Sequence, residues 1–259
     1  MKIKNISLFI LLLAGIASCS KQSAPPPPSS LTIINGVVGS APLVTNFSGT
    51  DSLTWYLGAN QIVYNTFSTD EYNNNNRVTF NPGMQKLALY QYPDTLQKDK
   101  PLFNLTLNLS SGSINSLFLT GTINAPDTLF TTDKLPLHAV SDSAAGIRFV
   151  NLSPNSAPVS INITGKNNGS EVTTLPYKGI TEFKSYPATQ DIGSYTFEFR
   201  DAATGALLVT YTADGINNAE SDPYAPSKIW RYKNTTLALL GLPGGSGDAA
   251  QTVLMINNY

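Results

Sequence analysis

Hydrophobic and polar residues alternate with a period of two over most of the chain. Phe103, Leu105, Leu107 and Leu109 are separated by Asn104, Thr106 and Asn108. Tyr195, Phe197 and Phe199 alternate with Thr196, Glu198 and Arg200, and Val159, Ile161 and Ile163 with Ser160 and Asn162. Successive side chains on a strand point to opposite faces, so each run predicts a strand with one apolar and one polar face. Such strands suit antiparallel sheets packed on one side and wet on the other. Turn signals separate them at Asn81-Pro82-Gly83, Asp214-Gly215 and Pro243-Gly244-Gly245-Ser246-Gly247. No sustained helical period occurs after residue 30, which predicts an all-β chain.

The first 30 residues follow another pattern. Lys2 and Lys4 precede an apolar run from Ile6 to Ile16. At about 11 residues it is shorter than the roughly 20 of a membrane-spanning helix and reads as the hydrophobic region of a secretory signal. It ends in Ile16-Ala17-Ser18-Cys19, which resembles a bacterial lipobox. Residues 1–18 are then expected to be a lipoprotein signal peptide, with Cys19 as the lipid attachment site. Ser20–Ser30 includes four consecutive prolines; they favour extended polyproline II, so 19–30 is predicted to be a tether.

Two long segments match without gaps at an offset of 116 residues. Residues 31–49 read LTIINGVVGSAPLVTNFSG and residues 147–165 read IRFVNLSPNSAPVSINITG. Asn35 matches Asn151, Ser40-Ala41-Pro42 matches Ser156-Ala157-Pro158, and Gly49 matches Gly165. Further on, 83–90 corresponds to 193–200 and 116–121 to 236–241. The chain therefore reads as a tandem duplication: repeat 1 over 31–132, a polar connector over 133–146, repeat 2 over 147–259. Each copy has room for seven or eight short strands, which predicts two tandem antiparallel β-sandwiches of immunoglobulin-like or transthyretin-like type.

Composition narrows the chemistry. Charged residues make up 13% of the chain, about half the usual share. Asn, Thr and Ser (24, 26 and 25 residues) supply the polar faces instead. A net charge of −1 argues against a nucleic-acid partner, which requires a clustered basic excess. One Cys and one His exclude a disulfide framework and a zinc site of the Cys/His kind. No cofactor and no metal are expected.

The opening GIRFVNLSPNSAPVSINITG, the segment Leu175-Pro176-Tyr177-Lys178-Gly179 and the strand Gly-Ser-Tyr-Thr-Phe-Glu-Phe resemble the bacterial family known as domain of unknown function 4397. The resemblance is good over 147–212 and weaker over 31–121, where Gly36-Val37-Val38-Gly39 replaces Leu-Ser-Pro-Asn. It implies secreted or lipid-anchored β-sandwich proteins, many from the Bacteroidetes, and supplies no catalytic residues.

Reactive constellations are sparse. His138 stands in a connector without a GxSxG nucleophile elbow, so it reads as a packed or surface residue. Five glutamates (Glu71, Glu171, Glu182, Glu198, Glu220) provide no pairing that sequence can identify. Asp214–Asp222 is rich in oxygen ligands, but Ile216 breaks the EF-hand spacing, and the segment reads as a polar turn. Tyr224, Trp230 and Tyr232 cluster within a proline-containing insertion and are candidate ligand-contact aromatics. Asp followed by Ser or Thr and a small or aliphatic residue occurs four times. That pattern resembles the O-glycosylation acceptor of Bacteroidetes envelope proteins and makes Ser52, Thr95, Thr128 and Ser143 candidate acceptors.

The sequence thus predicts a non-enzymatic lipoprotein of the cell envelope, lipid-anchored to the outer membrane. Its expected partners are the membrane and envelope proteins or glycans; its expected role is adhesion, assembly or ligand presentation. The alternatives are a carbohydrate-binding accessory of an outer-membrane glycan-uptake system, through aromatics such as Trp230, and a hydrolase.

Overall fold

The computed structural model describes residues 24–49, 59–69, 74–92, 100–139, 141–218 and 230–258. These residues are all-β, with sixteen strands and one 3-10 turn at Gly247–Ala249. The first eight strands are β1 (Ser29–Asn35), β2 (Leu43–Asn46), β3 (Gln61–Ile62), β4 (Arg77–Phe80), β5 (Gly83–Gln91), β6 (Phe103–Leu109), β7 (Ile114–Thr122) and β8 (Ala125–Thr132). The second eight are β9 (Ala144–Asn151), β10 (Val159–Ile163), β11 (Val172–Leu175), β12 (Lys184–Pro187), β13 (Ser194–Asp201), β14 (Leu207–Asp214), β15 (Asn234–Leu240) and β16 (Thr252–Asn257).

They form four four-stranded sheets. Repeat 1 supplies β4-β1-β7-β8 and β3-β2-β5-β6; repeat 2 supplies β12-β9-β15-β16 and β11-β10-β13-β14. The second set repeats the first strand for strand. Its registers do too. Leu31 lies opposite Asn115 as Ile147 lies opposite Thr235, and Leu43 opposite Gln91 as Val159 opposite Asp201. β1 and β7 run parallel, as do β9 and β15. All other paired strands are antiparallel, so one sheet of each repeat has a single parallel pair, which joins the first strand of the repeat to its seventh.

The matched Asn and Ser-Ala-Pro residues have a common structural task. Asn35 donates through Nδ2 to Ser40 Oγ (3.0 Å) and Ile62 O (3.2 Å), and its Oδ1 accepts from Val37 N (3.1 Å). Asn151 makes the equivalent bonds to Ser156 Oγ (3.1 Å), Leu175 O (3.2 Å) and Ser153 N (3.1 Å). Both side chains are wholly buried. Each asparagine holds the turn after the first strand and also ties that strand to the third strand of its repeat, which belongs to the other sheet. Asn151→Ala would leave a buried donor and a buried acceptor without partners, at about 1–3 kcal/mol each. Chemical denaturation is expected to show a loss of roughly 2–6 kcal/mol, against under about 0.5 kcal/mol for Asn167→Ala on an exposed turn.

One core lies between the two sheets of repeat 1, built from residues such as Leu31, Ile33, Leu43, Leu87, Leu89 and Leu117. A second lies between the sheets of repeat 2, around Phe149, Ile161, Phe197, Phe199, Trp230 and Leu237. A third joins the repeats: Ile34, Phe118 and Leu129 of repeat 1 pack on Val150, Leu152, Ala238, Leu240, Leu254 and Ile256 of repeat 2. Sheets β4-β1-β7-β8 and β12-β9-β15-β16 are therefore the inner two of four stacked layers.

Two expectations change here. The central strands of the inner sheets have no wet face: β9 and β15 are buried at every position, and β1 and β7 at nearly every one. Their sequences do not alternate because both faces pack, and their Thr, Ser and Asn residues hydrogen-bond within the stack. The boundaries also move by a few residues. The tether was expected to run to 30, but Ser29 already pairs with Phe80 and is buried. The connector was expected over 133–146, yet Asp133 N donates to Ile114 O (2.7 Å) and β9 starts at Ala144.

Candidate functional site between the repeats

The joint between the inner sheets pairs equivalent residues of the two repeats. Register equates Ile34 with Val150, Phe118 with Ala238 and Leu129 with Leu254, and all six lie in the shared core. The repeats thus meet through like faces, as the subunits of a two-fold dimer do. A polar lock sits at one edge. Arg148 Nη1 lies 2.8 Å from Asp133 Oδ1, with both side chains at most 5% exposed. Arg148 Nε donates to Thr236 Oγ1 (2.8 Å), its guanidinium stacks 4.6 Å from the Phe183 ring centroid, and Asp133 Oδ2 accepts from Ser116 Oγ (2.6 Å).

Pseudo-symmetry makes two further corners, and they differ. One corner is closed. Lys178 Nζ bonds both carboxylate oxygens of Asp127 (2.9 and 3.0 Å), Tyr177 OH donates to Thr120 Oγ1 (3.3 Å), and Thr120 Oγ1 donates to Leu152 O (2.7 Å). Lys178 has a left-handed backbone, φ 62°, and its N–H donates to Asn151 O. Burial alone would raise the Asp127 pKa; the bonds from Lys178 and the Thr128 N–H outweigh it and hold the carboxyl below its usual range.

The other corner is open. Tyr64 and Asn65 occupy the positions of Tyr177 and Lys178, and Asn65 repeats the left-handed turn (φ 50°) and the bond from its N–H to Asn35 O. Asn65 has no cationic group, however, and register places Thr252 where the other corner has Asp127 and Leu240 where it has Thr120. The loops differ as well. Two residues, Ile123 and Asn124, join β7 to β8, whereas 241–251 joins β15 to β16. The result is a cleft of about 760 Å³ between the repeats, with Ser40, Tyr64 and Asn65 on one wall and Asp248, Gln251 and Thr252 on the other. Among the described residues, Asp248 is the only charged side chain in its lining. The Tyr64 hydroxyl is buried and makes no hydrogen bond with the protein. Burial first, then the charge of Asp248, raises the phenol pKa above its ordinary value.

Most residues singled out by sequence lie elsewhere. Trp230, expected as an exposed aromatic, is fully buried in the repeat 2 core; its Nε1 donates to Asp214 O (3.1 Å) and its ring meets Tyr211 edge-on. An indole this large is worth more to an undisulfided core than to a surface. Tyr232 is half-buried at a left-handed turn, φ 63°, directly before β15. Thr128 is half-buried within paired β8, and Ser143 is half-buried just ahead of β9. Cys19, Ser52, Thr95 and Tyr224 lie outside the described residues. His138 packs on β15, with Nε2 3.0 Å from Asn234 Oδ1 and Nδ1 3.5 Å from Asp142. Glu198 accepts from Asn162, Thr164 and Arg200 on the outer face of β13. Glu171 binds Lys184 and Tyr186. Tyr64 and Asp248 carried no motif of their own. The signal for Tyr64 was its alignment, Ile62-Val63-Tyr64-Asn65 against Leu175-Pro176-Tyr177-Lys178.

No protein-family model and no curated protein matches the sequence. Among solved structures, similarity extends to the family 41 carbohydrate-binding modules of streptococcal virulence factors, with 10% identity over 81% of this chain and 92% of that one at a TM-score of 0.24. A structure of α-glucan binding by a streptococcal virulence factor aligns at 8% identity over 88% and 95%, TM-score 0.26. A candidate adhesin from Bacteroides ovatus aligns at 10% identity over 91% and 97%, TM-score 0.23.

Proposed function

We propose that this protein is a non-enzymatic binding and presentation module of the bacterial cell envelope, anchored to the outer membrane through lipid on Cys19. Each repeat is read as a transthyretin-like sandwich, because eight strands in two sheets of four exceed the seven of an immunoglobulin constant-type domain. The resemblance to domain of unknown function 4397 supports export on a lipid. The observation that carries the reading is the joint between the inner sheets. An apolar core and a buried ion pair join the two repeats, which suits the display of a surface at a fixed distance from a membrane. The described ionisable side chains discussed above serve structure: Glu171, Glu198 and Asp127 are paired, and His138 is packed. O-glycans on Ser52, Thr95, Thr128 and Ser143 belong to the same envelope reading.

Cell fractionation tests the anchor. Wild-type protein is expected in the membrane fraction and Cys19→Ala in the soluble fraction, since stable attachment takes more than one acyl chain and the variant carries none. A variant that stays with the membrane would refute the anchor.

A second reading, carbohydrate binding, is favoured by the cleft between the repeats. Among the described residues its lining is polar and nearly uncharged, and it replaces the Trp230 surface as the place where a glycan would sit.

A further inference from the structure

The duplication gives this molecule an internal comparison, and the joint proves to be asymmetric in charge. Among the described residues two ion pairs cross it, Asp133 with Arg148 and Asp127 with Lys178. In both, repeat 1 supplies the carboxylate and repeat 2 the cation. Register identifies the four equivalent positions. Thr32 is the counterpart of Arg148, Asn258 of Asp133, Asn65 of Lys178 and Thr252 of Asp127. All four are neutral. The local hydrogen bonds survive the change of residue: Ser116 Oγ donates to Asp133 Oδ2 (2.6 Å), and Thr236 Oγ1 donates to Asn258 Oδ1 (2.5 Å). An amide after β16 therefore performs the local task that the carboxylate performs after β8. What the carboxylate adds is the cation across the joint.

Pairing of like repeats through this face forfeits both matches. Two copies of repeat 1 would set each buried Asp133 against Thr32 and each Asp127 against Asn65. Two copies of repeat 2 would set each buried Arg148 against Asn258 and each Lys178 against Thr252. A buried charge without its counterion is strongly unfavourable. Packing has the same sense. Repeat 1 brings Ile34 and Phe118 to the shared core where repeat 2 brings Val150 and Ala238. Two copies of repeat 1 would overfill that core and two of repeat 2 would leave it underfilled. We infer that the joint face of each repeat is a selective docking surface whose partner is the opposite repeat, of the same chain or of a second copy, and that it rejects its own kind. Selectivity of this form is built from mismatches as much as from contacts. Within one chain the connector keeps the matching repeat at high effective concentration. Where a joint opens, the freed faces fit the opposite repeats of a neighbouring copy, and two such exchanges close a reciprocal dimer.

The test uses the full chain, cut after it has folded. A protease site placed at Leu137, which is 98% exposed, severs the connector and leaves both repeats folded. Native mass spectrometry is expected to find the two halves as a one-to-one complex at about 1 μM. When a light batch is mixed with a heavy-isotope-labelled one, complexes of a light repeat 1 with a heavy repeat 2 are expected to form, with like pairs below about 5% of all pairs. The double variant Asp133→Asn, Arg148→Thr gives each repeat the neutral residue that the other already accommodates. Its like pairs are expected to rise at least about fivefold. Like pairs that are abundant in the wild type, or unchanged in the double variant, would refute selection by charge. Halves that separate at this concentration would refute docking altogether, and halves that stay together without exchanging would refute docking by a second copy.

Discussion

Trp230→Ala is expected to destabilise the protein by about 3–5 kcal/mol, the range for deleting a large buried aromatic. Trp230 is wholly enclosed among the residues of the repeat 2 core, between strands of its two sheets. Its removal also takes away the donor that satisfies Asp214 O. The cost therefore combines lost transfer energy, a cavity and an unpaired carbonyl. Urea denaturation followed by Tyr fluorescence or circular dichroism measures it. Trp230→Phe, which keeps most of the volume and only loses the N–H, is expected to cost less than half as much. A loss below about 1 kcal/mol for Trp230→Ala, the range of a surface substitution, would contradict the buried position.

Asp133→Ala is expected to have an effect of similar size for a different reason. Arg148 would remain 4% exposed with its charge no longer compensated, and breaking one side of a buried ion pair typically costs about 3–5 kcal/mol. For a chain of this size each kcal/mol lowers the melting temperature by roughly 2–4 °C, so a fall of about 6–20 °C is expected. The double substitution Asp133→Leu, Arg148→Met removes both charges and keeps the packing volume. It is expected to recover most of the loss, because a buried pair replaced by apolar residues is often neutral. The contrast separates the penalty of a stranded cation from the value of the pair itself. If single and double variants lose equally, the pair is not buried as described.

The architecture was readable from sequence where neighbouring residues decide it. Alternation at 103–109 and 193–200 marked β6 and β13 because each has one outward face. The duplication was visible because Asn35 and Asn151 are fixed by buried hydrogen bonds that tolerate little else. What sequence could not show was the third core. Ile34, Phe118, Val150 and Leu240 read as ordinary strand residues; only the stacking of sheets shows that they join the repeats. Trp230 was misplaced on the same ground. Prolines and tyrosines around it resemble an exposed insertion, whereas the indole itself turns inward to fill the space between two sheets. The cleft was hidden because its two walls are 184 residues apart in the chain, from Tyr64 to Asp248.

The place of β1 has a mechanical consequence. It lies inside its sheet, flanked by β4 on one side and β7 on the other, and the proline-rich segment leads directly into its first residue. A pull on residues 24–28 therefore runs along the strand axis and loads the ladders to both neighbours in shear, all rungs together. An edge strand peeled from its end would give way one bond at a time. With tension entering there, the body resists extraction as a dowel does rather than opening as a zip fastener.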